Sequence, residues 1–155
     1  MRLSKNFVLS EITRSNTAKR LGIDNEPTKK DLENIQRLIT NILQPLRNHL
    51  GPIRISSGYR NKELNRAIGG STKSQHCKGE ALDIQFWKDG KMCNKEVYDW
   101  IIDNAIEFDQ MINEFDFAWI HISLKKSNNR REVLEAYKDK DGDTKYRYAP
   151  DIITL

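Results

Sequence analysis

Hydrophobic residues recur at intervals of three and four along one segment in the first third of the chain. The recurring positions are Leu32, Ile35, Leu38, Ile39, Ile42, Leu43 and Leu46. This spacing places them along one side of an α-helix. Thr28 can cap the start of this helix, Pro45 can kink or end it, and Gly51–Pro52 closes the unit.

Shorter segments with the same period predict further helices. One helix is expected to begin near Ser10, which can act as its N-cap. Another covers residues 61–68, before two glycines stop it. A third is expected within residues 94–108 and presents one hydrophobic face, formed by Val97, Trp100, Ile101 and Ala105.

The remaining segments alternate hydrophobic and polar positions or form short apolar runs, which favours β-strands. Strands are predicted at residues 53–55, 81–87, 110–115 and 118–123. A tight turn at Asp116–Phe117 joins the last two, and a final hairpin is predicted around Asp141–Gly142. These elements predict an α+β fold with a single domain, residues 1–155, whose N-terminal helices pack on a small, mainly antiparallel sheet.

The composition narrows the class of protein. With 37% hydrophobic and 31% charged residues among 155, the chain is expected to form one soluble domain, and we expect a monomer. No apolar run approaches the roughly 18 residues of a membrane span, so no membrane insertion is predicted. The net charge of +4 is spread along the chain, which suits contact with an anionic polymer but predicts no specific binding of nucleic acid. The N-terminus lacks the apolar core of a signal peptide, which predicts synthesis in the cytoplasm.

Two of the three histidines are candidates for metal binding. His76 lies in a polar loop, whereas His121 lies within an apolar strand, where a histidine is more often a core residue than a ligand. Asp83 also lies within a predicted strand, and a buried acid requires a partner. A convergent site explains all three residues together, and two histidines with one carboxylate leave a position open for water, as in catalytic zinc sites. His49 lies at a helix end, where it can offset the helix dipole.

Two acids are candidates for a general base beside such a site. If Asp116–Phe117 forms the turn, Glu114 pairs with Trp119 and lies on the same face as His121. Asp116 is two residues after Glu114 and would point to the same face, but it lies at the turn, where it is freer to contact solvent. The strand pattern therefore favours Glu114 as the base, with Asp116 as the alternative.

Three further residues surround the His76 loop in the sequence. Arg60 lies between a strand and a helix, and its guanidinium can bind a carboxylate through two hydrogen bonds. Ser74 can position His76 or the substrate, or it can be a simple loop hydroxyl. Gly79 permits a close approach of the backbone at the mouth of the site.

Several motifs resemble those of the zinc D-alanyl-D-alanine peptidases. The motif S-x-H-x-x-G-x-A-x-D is matched by Ser74, His76, Gly79, Ala81 and Asp83. The motif W-[VI]-H-[VI]-S is matched by residues 119–123, and the SGYR lead-in is matched by residues 57–60, with Asn65 and Gly69–Gly70 after it. The resemblance extends from Phe7 to Glu132 and is closest to the small, single-domain members that are common in phages and prophages.

This resemblance implies a metal site and a substrate-binding residue. It implies that Zn²⁺ is the cofactor and that His76, Asp83 and His121 bind it. It also implies that Arg60 holds a carboxylate or carbonyl group of the substrate. The expected substrate is a peptidoglycan stem peptide, and the expected enzyme is a D-Ala-D-Ala carboxypeptidase or an endolysin-type endopeptidase.

The resemblance further implies that an acid near the second histidine acts as the base. Many members place it in an E-x-x-H arrangement or add a histidine in H-x-H, but residues 118 and 119 are Ala and Trp here, so neither arrangement applies. The stretch at 108–114, F-D-Q-x-I-x-E, is similar to the family pattern and contains Glu114.

The expected role is cell-wall lysis by a phage or prophage, with wall remodelling by a host cell as the second possibility. Without a signal peptide, the protein would reach the wall after release from the cytoplasm or as part of a virion. The alternative is a non-catalytic wall-binding or virion structural protein on the same fold. Non-haem iron oxygenases also use two histidines and a carboxylate, but they usually carry H-x-D, whereas His76 and Asp83 are seven residues apart.

Overall fold

The long hydrophobic pattern of the N-terminal half forms one continuous helical rod. In the computed structural model, which describes residues 1–149, the rod consists of α3 (Lys29–Leu38), a π-helical turn (Ile39–Leu43) and α4 (Gln44–Leu50). Thr28 caps it as predicted, because its hydroxyl accepts a hydrogen bond of 3.1 Å from the Asp31 backbone N–H. Pro45 does not end the rod. Proline has no N–H to donate, but the π-helical turn lies directly before α4, where the hydrogen-bonding pattern is already irregular. The helix therefore continues through Pro45.

The shorter helices begin and end differently from their predicted bounds. They are α1 (Leu9–Thr13), α2 (Asn16–Leu21), α5 (Lys62–Ala67) and α6 (Asn94–Asp103). Ser10 lies inside α1 and is not its cap; the cap is Val8, whose N–H donates to the Glu11 carboxylate at 2.9 Å. Ala105 lies beyond α6 with a φ of 50°, so it does not share the helical face of Val97 and Ile101.

Seven strands form one sheet. They are β1 (Ile53–Ser57), β2 (Ala81–Lys88), β3 (Lys91–Met92), β4 (Gln110–Glu114), β5 (Trp119–Ser123), β6 (Glu132–Lys138) and β7 (Thr144–Tyr148). The order is β1-β2-β5-β4-β6-β7, and β3 pairs with the end of β2. The pairs are antiparallel except β4 with β6, so the predicted α+β fold with a mainly antiparallel sheet is confirmed. The hairpin around Asp141–Gly142 is also confirmed, whereas the predicted domain boundary at residue 155 lies outside the described residues.

The helical rod covers one face of the sheet. Ile39, Ile42 and Leu43 are fully buried and belong to the same hydrophobic cluster as Ile84 of β2 and Ile122 of β5. Because side chains alternate along a strand, the residues between these core positions point to the opposite face. That opposite face carries Asp83 and His121, which are direct partners across β2 and β5. None of the helices within residues 1–149 is both long enough and apolar enough to cross a membrane.

The β4–β5 connection is longer than the predicted two-residue turn. Glu114 pairs with Trp119 as predicted, but Phe115, Asp116 and Phe117 all have positive φ values, of 52°, 56° and 61°. Left-handed backbone is costly for these residue types. Two buried amides hold it: Asn113 accepts a hydrogen bond of 2.6 Å from the Phe117 N–H, and Asn94 donates to the Phe117 carbonyl at 2.7 Å.

A buried acid ties the C-terminal loop to the turn that contains His76. The Asp109 carboxylate is fully buried and accepts hydrogen bonds from the Arg130 guanidinium at 2.7 Å and from the Gln75 amide at 3.0 Å. Burial alone would raise the pKa of Asp109, but the Arg130 and Gln75 hydrogen bonds outweigh it and lower the pKa to about 2.

The backbone at Gly79 approaches another group closely, as predicted, but that group is α3 and not the mouth of the site. The φ of Gly79 is +70°, and a Cβ at this position would collide with the Asp31 carbonyl oxygen and lie 2.9 Å from Ile35 Cγ1.

We expect Gly79→Ala to lower the free energy of unfolding by about 2–4 kcal/mol, from the left-handed backbone and the steric overlap together. Gly90→Ala is the matched control, because φ is +75° but nothing lies within 4 Å, so it should cost only about 1 kcal/mol. If urea denaturation showed the same loss of unfolding free energy for Gly79→Ala and Gly90→Ala, the close packing of Gly79 against α3 would be contradicted.

The ion pair between buried Asp109 and exposed Arg130 predicts a defined pH dependence. The folded-state pKa of Asp109 lies below the ordinary value of 3.8, so its contribution is complete above that pH and is lost as the pH falls toward about 2. The contribution is on the order of 2 kcal/mol. We expect Asp109→Asn to lower stability at pH 7 and to flatten the loss between about pH 4 and 2, measured by thermal melts. Asp99→Asn removes an exposed pair with Lys95 and should change stability by no more than about 0.5 kcal/mol.

Candidate metal centre

Three side chains from separate elements converge on the open face of the sheet. His76 comes from a 3₁₀ turn (Gln75–Lys78), Asp83 from β2 and His121 from β5. One Asp83 carboxylate oxygen lies 3.0 Å from His121 Nδ1 and 3.5 Å from His76 Nε2. All three potential ligand atoms lie within 4.8 Å of one another. The structure therefore brings together the three residues that the sequence predicts as metal ligands.

The ring of His76 is oriented by the backbone of the SGYR segment. His76 Nδ1 lies 2.8 Å from the Gly58 carbonyl oxygen, which can only accept, so Nδ1 carries the proton and donates it. This leaves Nε2 as the unprotonated nitrogen that faces Asp83. A hydrogen bond from the outer nitrogen to a carbonyl is how proteins commonly orient a metal-binding histidine.

Asp83 is held in its charged form. Burial raises the pKa of its carboxyl, but the neighbouring His121 and His76 rings outweigh that effect, so the pKa lies well below its ordinary range. Two imidazole nitrogens and one charged carboxylate form a donor set that suits zinc and leaves room for a further ligand. The residues present therefore fit the Zn²⁺ that the sequence resemblance implies.

The two candidate bases lie in different environments. Glu114 is 9% exposed and lines the cavity in front of the three residues, whereas Asp116 is exposed on the β4–β5 loop. Burial raises the pKa of Glu114; the nearby His121 opposes this rise and Asp83 adds to it. Within residues 1–149 no group donates a hydrogen bond to the Glu114 carboxylate. The geometry favours Glu114, and its role stays a prediction.

Arg60 and Ser74 form one side of the same cavity. The Arg60 guanidinium donates to the Ser74 hydroxyl at 3.2 Å, and that hydroxyl also accepts from the His76 backbone N–H at 3.3 Å. Arg60 Nε is buried without a hydrogen-bond partner in the described part of the chain. Burial lowers the pKa of Arg60, while Asp83 raises it. Ser74 is thus placed to orient His76 and still faces the cavity, so both predicted roles for it remain open.

The cavity is large enough for a peptide. Its volume is about 730 Å³, and it extends from Ser74 past the three candidate ligands to Trp119 and the β6–β7 hairpin. A second cavity of about 670 Å³ adjoins it at Arg60 and is lined by Arg14 and Arg54. Arg60 is the lining residue that the two cavities share.

Sequence reasoning missed the part of the cavity that the C-terminal hairpin provides. Leu134, Thr144 and Tyr146 line it, although they are distant in the chain from both histidines. The alternation of Thr144, Tyr146 and Tyr148 indicates that they share one face of a strand. Whether this face of β7 points to the site depends on how β6 joins the sheet. β6 pairs in parallel with β4, and no local sequence pattern indicates that pairing.

Comparison with known proteins identifies the family. A model of the peptidase M15 family matches residues 5–123, more than half of the 155-residue chain. No curated protein matches the chain. The matched region contains His76, Asp83, His121 and Glu114, and it confirms the resemblance seen in the motifs. The chain therefore belongs to the peptidase M15 family.

Proposed function

We propose that the protein is a zinc-dependent peptidase that hydrolyses peptidoglycan stem peptides. Family membership supports metallopeptidase activity. The observation that carries the proposal is the position of Glu114, a buried acid without a hydrogen-bond donor, in the same cavity as the cluster of His76, Asp83 and His121. A carboxyl group with a raised pKa in a cavity is typical of functional sites.

In this proposal His76, Asp83 and His121 hold the zinc ion. When bound, zinc supplies a Lewis acid that polarises the scissile carbonyl and makes water a stronger nucleophile. His76 keeps Nε2 available because its Nδ1 proton is donated to Gly58. Asp83 stays charged at neutral pH because both histidines lower its pKa.

Glu114 is the proposed general base. It accepts a proton from the attacking water, whose oxygen bonds to the carbonyl carbon of the substrate. The C–N bond then breaks, and Glu114 delivers the proton to the departing amine. Burial is the main cause of the raised pKa of Glu114. The raised pKa makes the protonated and the charged forms of this side chain closer in free energy at neutral pH.

Arg60 is the proposed anchor for a substrate carboxylate or carbonyl oxygen. Its guanidinium lies at the junction of the two cavities, and its buried Nε has a free N–H. An arginine held by Ser74 can present two N–H groups to one planar acceptor. Ser74 therefore supports both the anchor and His76 in this proposal.

The proposed setting is cell-wall lysis by a phage or prophage, in which a monomer acts on the wall after release or from a virion. The resemblance to small, single-domain phage peptidases supports this setting. Mass spectrometry of digested muropeptides, with and without a chelator, would identify the bond. Cleavage at the terminal D-Ala-D-Ala bond indicates a carboxypeptidase, and cleavage within the stem or a cross-bridge indicates an endopeptidase.

The metal ligands can be tested one at a time. We expect the wild-type protein to bind one equivalent of zinc. His76→Ala and His121→Ala should each lose zinc and activity together, because only two of the three protein ligands remain. Zinc content is measured by mass spectrometry of the purified protein, and hydrolysis by release of muropeptides. His49→Ala is the control, because His49 stacks on Trp100 away from the cluster. Retention of zinc and activity by both ligand variants would contradict the assignment.

The base assignment predicts a different pattern. We expect Glu114→Gln to lower kcat by about 10²–10⁴-fold while zinc content stays at the wild-type level, because proton transfer is lost and the ligands remain. Asp116→Asn should retain near wild-type activity, since its carboxylate is exposed. The reverse result, with Asp116→Asn inactive and Glu114→Gln active, would assign the base to Asp116.

A further inference from the structure

The β6–β7 hairpin lies outside the region that matches the family, yet it forms one wall of the candidate site. The family match ends at residue 123, and the hairpin begins with β6 at Glu132. Thr144 and Tyr146 of β7 nevertheless line the same cavity as the three candidate ligands. The family match therefore does not cover this wall.

The sheet register brings Tyr146 to the same side as Glu114. Glu114 of β4 is opposite Ala136 of β6, and Ala136 is opposite Tyr146 of β7. Residues that are paired directly across strands project to the same face. Ala136 lies between them in the sheet and carries only a methyl group, so it does not separate the two larger side chains.

The hydroxyl of Tyr146 is a free donor beside the site. Burial raises the pKa of Tyr146, and the charges of Glu114 and Asp83 raise it further, so the hydroxyl is protonated at neutral pH. Within residues 1–149 this hydroxyl has no hydrogen-bond partner. The side chain is 55% exposed, so it is accessible to a ligand in the cavity.

We propose that Tyr146 is a substrate-binding residue whose hydroxyl donates a hydrogen bond to an oxygen of the peptide lying in the cavity. The acceptor is a carbonyl oxygen, because the neighbouring negative charges of Glu114 and Asp83 disfavour a further carboxylate on this side. The ring of Tyr146 also covers the peptide from the β7 side of the cleft. The inference rests on the proposed peptidase function. It assigns substrate binding to the wall of the cavity that lies opposite Arg60.

The chain offers a matched control on the same strand. Tyr148 has the same parity as Tyr146 and is 75% exposed, but it does not line the cavity. Tyr146→Phe and Tyr148→Phe each remove only a hydroxyl from an exposed ring, so both variants should fold. Thermal melts and zinc content are expected to equal those of wild type in both.

Steady-state kinetics on a purified muropeptide with a stem pentapeptide test the inference. We expect Tyr146→Phe to raise KM about three- to tenfold with kcat unchanged, the loss of one hydrogen bond made to bound substrate. Tyr148→Phe should keep the wild-type KM. A wild-type protein that does not cleave peptidoglycan would overturn the proposed function and this inference with it. An active wild type with the same KM in Tyr146→Phe, or with equal changes in both variants, would overturn this inference alone.

Discussion

The pairing of β2 with β5 is the constraint on which the candidate site depends. In this antiparallel register Asp83 lies directly opposite His121, and their side chains meet at 3.0 Å. A shift of one residue in either strand would turn the polar side chain of that strand toward the helical rod. The shift would also move Ile84 or Ile122 out of the core, where both are fully buried. Hydrophobic burial on one face of the sheet therefore determines the geometry of the polar residues on the other.

Three acids near the site have different environments, and the difference indicates their roles. Asp83 is kept charged by two histidines, and Asp109 is kept charged by Arg130. Both are paired, as buried charges usually are. Glu114 is also buried but has no hydrogen-bond donor within residues 1–149, and its pKa is raised. The first two acids are therefore held in the charged form by their partners, and the third is the one that we propose as the base.

Local sequence patterns predicted the elements that depend on neighbouring residues. The Thr28 cap, the hairpin at Asp141–Gly142 and the pairing of Glu114 with Trp119 depend on spacing and turn chemistry over a few residues, and the structure confirms them. Of the two predicted effects of Pro45, an end of the helix is not observed, because packing of the rod on the sheet supports a π-helical turn that propensity alone disfavours. The extent of α6 was also overestimated, since Ala105 adopts a left-handed conformation just after the helix ends.

The sequence by itself determined the chemistry that is available: which side chains can bind a metal, which acids can accept a proton, and the family to which their motifs point. The tertiary structure alone decided which atoms face one another. It oriented His76 through Gly58, it separated buried Glu114 from exposed Asp116, and it brought Tyr146 into the cavity. The physical reason is that donor chemistry belongs to each residue, whereas these positions depend on pairing and packing between segments far apart in the chain.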